Sequence, residues 1–220
     1  MKLAIDRTVR IESGVETIEG MLGIPEHAQG VVLFAHGSGS GRFSPRNQFV
    51  AKVLRDGGLG TLLVDLLAPD ESEDRRKVFD IALLAERLLS ATKWLSNNPD
   101  TSKLPIGYFG ASTGAAAALR AAVDAGPSVR AVVSRGGRPD LAIRYLAGVR
   151  TPTLLIVGGD DLSVIPLNQE AFAALAGPKD IVIIPGATHL FEEPGTLEQV
   201  AEHAREWFLR FLPEEAPASI

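Results

Sequence analysis

A serine, an acid and a histidine in this chain each follow a short apolar run, where they could act together on a carbonyl carbon. Ser112 lies in Gly110-Ala111-Ser112-Thr113-Gly114, between Ile106-Gly107-Tyr108-Phe109 and the alanine-rich run 115–120. A serine in G-x-S-x-G at a strand-to-helix turn is the signature of a nucleophile elbow. The turn strains the serine backbone, so small neighbours are needed where strand and helix approach. It also exposes the hydroxyl above the sheet and sets the Thr113 N–H at a helix N-terminus, ready to donate to an oxyanion. A serine hydroxyl is a weak nucleophile until an imidazole takes its proton. His189, after Pro185-Gly186-Ala187-Thr188, is the histidine placed to act as base and then as acid. An aspartate holding the tautomer of that imidazole completes the set.

Two adjacent acids, Asp160 and Asp161, follow Gly158-Gly159. Asp161 is favoured, because Val164 three residues on could pack the loop behind it; Asp160 is then a solvated neighbour or a loop cap. A second oxyanion donor is expected from the glycine-rich turn His36-Gly37-Ser38-Gly39-Ser40-Gly41, through the amide of Ser38. His36 is read as holding that loop, and Asp65 as structuring another. His27 and His203 are read as structural or solvated. Arg42, Arg135 and Arg138 stand near the same strand ends, and their guanidinium forks suit an anionic substrate group. The alternative is that they pair with Asp140 or with surface glutamates. The histidines and acids are too dispersed for a metal site. The glycine turn lacks the spacing of a dinucleotide fingerprint and the Walker lysine.

These residues need a sheet to bring them together. Near-continuous apolar runs at 30–35, 60–65, 105–109, 129–134, 153–157 and 180–184 read as parallel strands covered on both faces. Helices are expected over 46–56, about 74–97, 112–125, 140–147, 167–175 and 197–211, most of them stopping at Gly or Pro signals. Before them, 9–12 and 16–22 form a hairpin about Ser13-Gly14. The pattern predicts one α/β domain over 1–220, with about eight mostly parallel strands, helices on both faces and a frayed tail from 213. In such sheets ligands bind at the carboxyl ends of the strands, where every candidate above lies.

Composition narrows the function classes. Hydrophobic content is 45% and net charge −5, with no long Lys/Arg run, which argues against a nucleic-acid surface. The acidic stretch 70–74 before Arg75-Arg76-Lys77 reads as a solvated helix start. The absence of cysteine excludes disulfides, thiolate metal sites and a cysteine nucleophile. No apolar run is long enough to span a bilayer, and the first residues lack the apolar region of a signal peptide. A cytoplasmic protein without membrane or nucleic-acid partners is expected, and the edge hairpin permits a homodimer.

Together, His36-Gly37-Ser38-Gly39-Ser40, the elbow, Gly158-Gly159-Asp160-Asp161-Leu162-Ser163-Val164 and Pro185-Gly186-Ala187-Thr188-His189-Leu190-Phe191 resemble the α/β-hydrolase superfamily. The similarity is greatest to its dienelactone-hydrolase-like and small carboxylesterase branch. The chain order Ser, Asp, His is the one that arrangement uses. The resemblance implies an ester hydrolase with an acyl-serine intermediate and no cofactor. It also implies two departures. Dienelactone hydrolases proper use a cysteine nucleophile where this chain has Ser112. Only 135–150 separates one strand from the next where many relatives insert a cap, so an open, shallow site for small esters is expected. Thioesterase, lactonase and acyltransferase activities share the machinery. A non-catalytic ligand-binding module of the same fold is the reading from a different class.

Overall fold

The computed structural model describes residues 2–213, so the tail expected to fray lies outside them but for Pro213. An eight-stranded sheet runs in the order β1-β2-β4-β3-β5-β6-β7-β8. Its strands are β1 Leu3–Ser13, β2 Glu16–Pro25, β3 Val31–Ala35, β4 Gly60–Val64, β5 Ile106–Ala111, β6 Val129–Arg135, β7 Thr153–Gly158 and β8 Lys179–Ile184. β1 and β2 form an antiparallel hairpin, and β2 pairs antiparallel with β4. All other pairings are parallel.

The central strands read as unbroken apolar runs because helices cover both faces. Alternation along β3 divides its side chains between two cores: Val31, Leu33 and Ala35 on one face, Val32 and Phe34 on the other. The first face is covered by α4 Ile81–Asn97 and α5 Thr113–Ala125. The second is covered by α1 Pro45–Asp56 and α8 Thr196–Phe211. In α4, Leu84, Leu88, Ala91 and Leu95 recur at helical spacing and are all buried.

The single helix expected over 74–97 is two pieces, α3 Arg75–Val78 and α4, with a further short helix, α2 Pro69–Ser72, before them. The breaks have a local cause. Asp74 accepts from the Arg76 N–H and Asp80 from the N–H groups of Ala82 and Leu83, so each acid caps a new helix. Nor is the acidic stretch wholly solvated. Glu71 is buried, where it accepts from the Ala68 N–H and pairs with Arg87 of α4 at 3.2 Å.

Between β6 and β7 lie only a 3₁₀ turn, Pro139–Ala142, and the one-turn α6 Ile143–Leu146, which together fill the helix expected over 140–147. No cap covers the strand ends there. The remaining helix, α7 Ile165–Ala174, follows β7. Among the described residues, no helix is long and apolar enough to cross a membrane.

Candidate active site

Register aligns three strand ends. Ala35 of β3 partners Gly110, and Ala111 of β5 partners Arg135 of β6. The residue after β5 is Ser112, at φ 50° and ψ −119°, a conformation that side-chain-bearing residues rarely adopt. Backbone bonds hold it there. Its N–H donates to the Arg135 carbonyl at 3.2 Å, and its own carbonyl accepts from Ala115 and Arg138 at 3.1 Å each. The glycines around it are required by close approach. A Cβ on Gly114 would lie 2.1 Å from the Ala35 carbonyl oxygen, and one on Gly37 would lie 2.9 Å from Ser112 Cβ.

His189 stands across from the serine, on the loop after β8. Its Nε2 is 3.4 Å from Ser112 Oγ and its Nδ1 is 2.6 Å from Asp161 Oδ2. The first distance is long for a hydrogen bond, as is common before substrate tightens the set. The second is short and aligned for an imidazole N–H donating to a carboxylate. Asp161 is buried, Ser163 Oγ approaches its other oxygen at 3.3 Å, and Val164 is buried behind it. Asp160, by contrast, is exposed and gives only its N–H, to Ala187. The His189 loop is fixed by Glu193, which accepts from the Thr188 N–H and hydroxyl. Sequence order thus becomes a continuous serine–imidazole–carboxylate line.

The turn after β3 closes over the elbow. Leu66 N–H donates to His36 Nε2 at 2.9 Å, so the ring proton sits on Nδ1 and is donated to the Gly37 carbonyl at 2.9 Å. Burial lowers the pKa of His36 and keeps it neutral. With His36 bolting the loop, Ser38 lines the same cavity as Ser112 and His189, about 190 Å³ in volume. Thr113 is the first residue of α5, so its N–H has no acceptor within the helix. Ser38 and Thr113 also border a second cavity of about 290 Å³, whose apolar wall is Leu67, Val78 and Leu84.

The three arginines separate. Arg42 pairs with Asp65 and Glu19 and borders a neighbouring cavity instead of the one holding Ser112. Asp65 also accepts from the Arg42 N–H, the loop-structuring part expected of it. Arg138 pairs with Asp140 at 2.8 Å. Both have therefore taken the alternative of acid partners. Arg135 has not. It is 7% exposed, lines the Ser112 cavity and reaches the Leu190 carbonyl at 3.5 Å, while its Nε has no partner. Burial, with Arg46 nearby, brings its guanidinium down to about 10, still charged at neutral pH. Arg46, in the first turn of α1, borders the same cavity. Sequence reading missed Arg46; its one signal was a helix starting soon after the glycine turn.

Known proteins share the sequence pattern and the fold. The model of the dienelactone hydrolase family matches residues 18–214. The chain belongs to the dienelactone hydrolase family. A crystal structure of a dienelactone hydrolase from Anabaena variabilis superposes with a TM-score of 0.92 at 55% identity, covering 94% of this chain and 98% of that one. The esterase domain of a Rhodothermus marinus protein shares the fold, with a TM-score of 0.76 at 20% identity over 94% of this chain and 99% of that domain. A Mycobacterium tuberculosis protein provisionally named a phosphoribosyl transferase is 56% identical over 213 residues, 97% of this chain and 48% of its own length. The chain thus spans about half the length of that relative. As a dienelactone hydrolase family member it carries serine at the elbow, where the resemblance led one to expect cysteine in dienelactone hydrolases proper.

Proposed function

We propose that this protein is a serine hydrolase cleaving small carboxylic esters through an acyl-Ser112 intermediate. His189 acts as general base and then general acid, Asp161 orients the imidazole, and the amides of Ser38 and Thr113 receive the oxyanion. The observation that carries the proposal is the line from Ser112 Oγ through His189 to Asp161 Oδ2, with distances of 3.4 and 2.6 Å.

The steps follow from that line. Imidazole Nε2 takes the hydroxyl proton as Oγ attacks the carbonyl carbon, and the carbonyl electron pair moves onto oxygen. Nδ1–H stays bonded to Asp161, which stabilises the imidazolium without being protonated. The imidazolium gives its proton to the departing alkoxide as the C–O bond breaks, leaving the acyl-serine. Water, deprotonated by the same imidazole, attacks the acyl carbon and releases the acid. The amides of Ser38 and Thr113 favour the charge that develops on oxygen, a contribution of roughly a hundredfold or more per donor. The cavity beside them, about 290 Å³ with an apolar wall of Leu67, Val78 and Leu84, suits a short acyl chain.

Short p-nitrophenyl esters are the direct test. A burst of nitrophenolate equal to the enzyme present, followed by slower turnover, is expected from acyl-enzyme accumulation. Neither phase should survive in Ser112→Ala. A folded wild type with no activity on esters, thioesters or lactones would contradict the proposal and favour a ligand-binding module.

A further inference from the structure

The cavity that holds Ser112 and His189 is positively charged without any acid in its lining. Arg135 contributes from the end of β6 and Arg46 from the first turn of α1, and Ser40 and Ser44 complete that side of the lining. Arg135 is buried, and no carboxylate among the described residues pairs with it. Among the described residues its guanidinium makes one hydrogen bond, the long one to the Leu190 carbonyl, and it lies 5.8 Å from the Phe191 ring. Arg46 is paired, but at the rim, with the exposed Glu192. A buried cation left unpaired beside a second cation is costly unless an anion arrives.

The backbone adds to this. Ser44 caps α1 and takes the Asn47 N–H, and Pro45 has no N–H. The Arg46 amide therefore lies at the helix N-terminus without an intrahelical acceptor. No acidic side chain stands in that first turn to satisfy the helix dipole. Two arginines, a helix N-terminus and two serines thus border one cavity. Such a set matches the three free oxygens of a tetrahedral phosphoryl group better than a planar carboxylate. The volume, about 190 Å³, holds a phosphoryl group next to a reacting carbonyl.

We propose that Arg135, Arg46 and the N-terminus of α1 form a phosphate subsite, so that the esters cleaved at Ser112 carry a phosphate monoester group. The second half rests on the serine-hydrolase reading; phosphate binding by the cavity does not.

Calorimetric titration of the whole chain with inorganic phosphate, beside acetate and chloride at matched ionic strength, separates the two. Saturable phosphate binding is expected, with acetate weaker by about tenfold or more. The same binding should persist in Ser112→Ala, whether or not any ester is cleaved. Arg46→Gln, at the rim, and Arg135→Gln, checked for native circular dichroism, should each raise the dissociation constant about tenfold. In turnover, 2-acetoxyethyl phosphate should exceed 2-acetoxyethanol in kcat/KM by about tenfold or more, and Arg46→Gln should narrow that gap. The subsite is overturned by no saturable phosphate binding, by acetate binding equally well, or by unchanged affinity in Arg46→Gln. Equal kcat/KM for the two esters overturns the substrate assignment. Loss of all ester hydrolysis with phosphate binding intact overturns the serine-hydrolase reading alone.

Discussion

At Ser112 the chain holds a side-chain-bearing residue at φ 50° by surrounding it with groups that leave no alternative. Gly114 is the tightest of them. A methyl there would meet the Ala35 carbonyl, so Gly114→Ala should cost about 1–3 kcal/mol in urea unfolding and disturb the elbow. An unchanged midpoint would contradict that packing. Around the same site, Asp161→Asn should lower kcat by roughly a thousandfold or more while leaving the fold intact, because the imidazole then adopts the wrong tautomer. Near-wild-type turnover would mean that Asp161 does not orient His189. His36 gives a pH dependence. Burial lowers its pKa, so the unfolded chain takes up a proton first as pH falls below the ordinary histidine value of about 6.5. This contribution to stability is fully present above that value and is lost progressively below it. His36→Gln should therefore shrink the stability difference between about pH 7.5 and about pH 5; equal differences would rule it out. At this scale most of the candidate site was legible. Ser112 and His189 each follow an apolar run, and Asp161 was chosen by the packing of Val164, which is indeed buried. Arg135 could not be told from Arg42 and Arg138, because only the fold decides which arginine meets an acid.

Elements position these residues, and strands were easier to read than helices. Buried parallel strands are continuous apolar runs, so their existence and order of appearance followed from hydropathy alone. The segment 69–97 misled because its acids do two jobs that sequence does not distinguish from solvation. Asp74 and Asp80 end one helix and begin another, while Glu71 turns inward to Arg87. That inward pair ties α2 to α4, and Arg87 also donates to the Ser13 carbonyl at the hairpin turn. Glu71 and Arg87 are both buried, so Arg87→Met should destabilise by about 3 kcal/mol by leaving a buried carboxylate less compensated. Because Leu67 precedes this segment and Val78 lies within it, and both border the second cavity, the same variant should raise KM for short acyl esters. A fully stable variant with unchanged KM would show that the pair holds nothing in place.

Across the whole molecule, the strand order places four loops at one edge of the sheet and leaves that edge open. The loops after β3, β5, β7 and β8 supply, in turn, the glycine turn, Ser112, Asp161 and His189. Only two short helical turns stand between β6 and β7, so no cap covers the loops there. Family membership and fold therefore agree with a hydrolase, and the chemistry narrows to whether Ser112 reacts. A fluorophosphonate probe answers this, since it phosphonylates a serine only when a base has activated it. Peptide mass mapping of the labelled, folded protein should find one adduct, on Ser112. The adduct should be absent from Ser112→Ala and strongly reduced in His189→Ala. An unlabelled wild type, or label retained in Ser112→Ala, would contradict the serine mechanism.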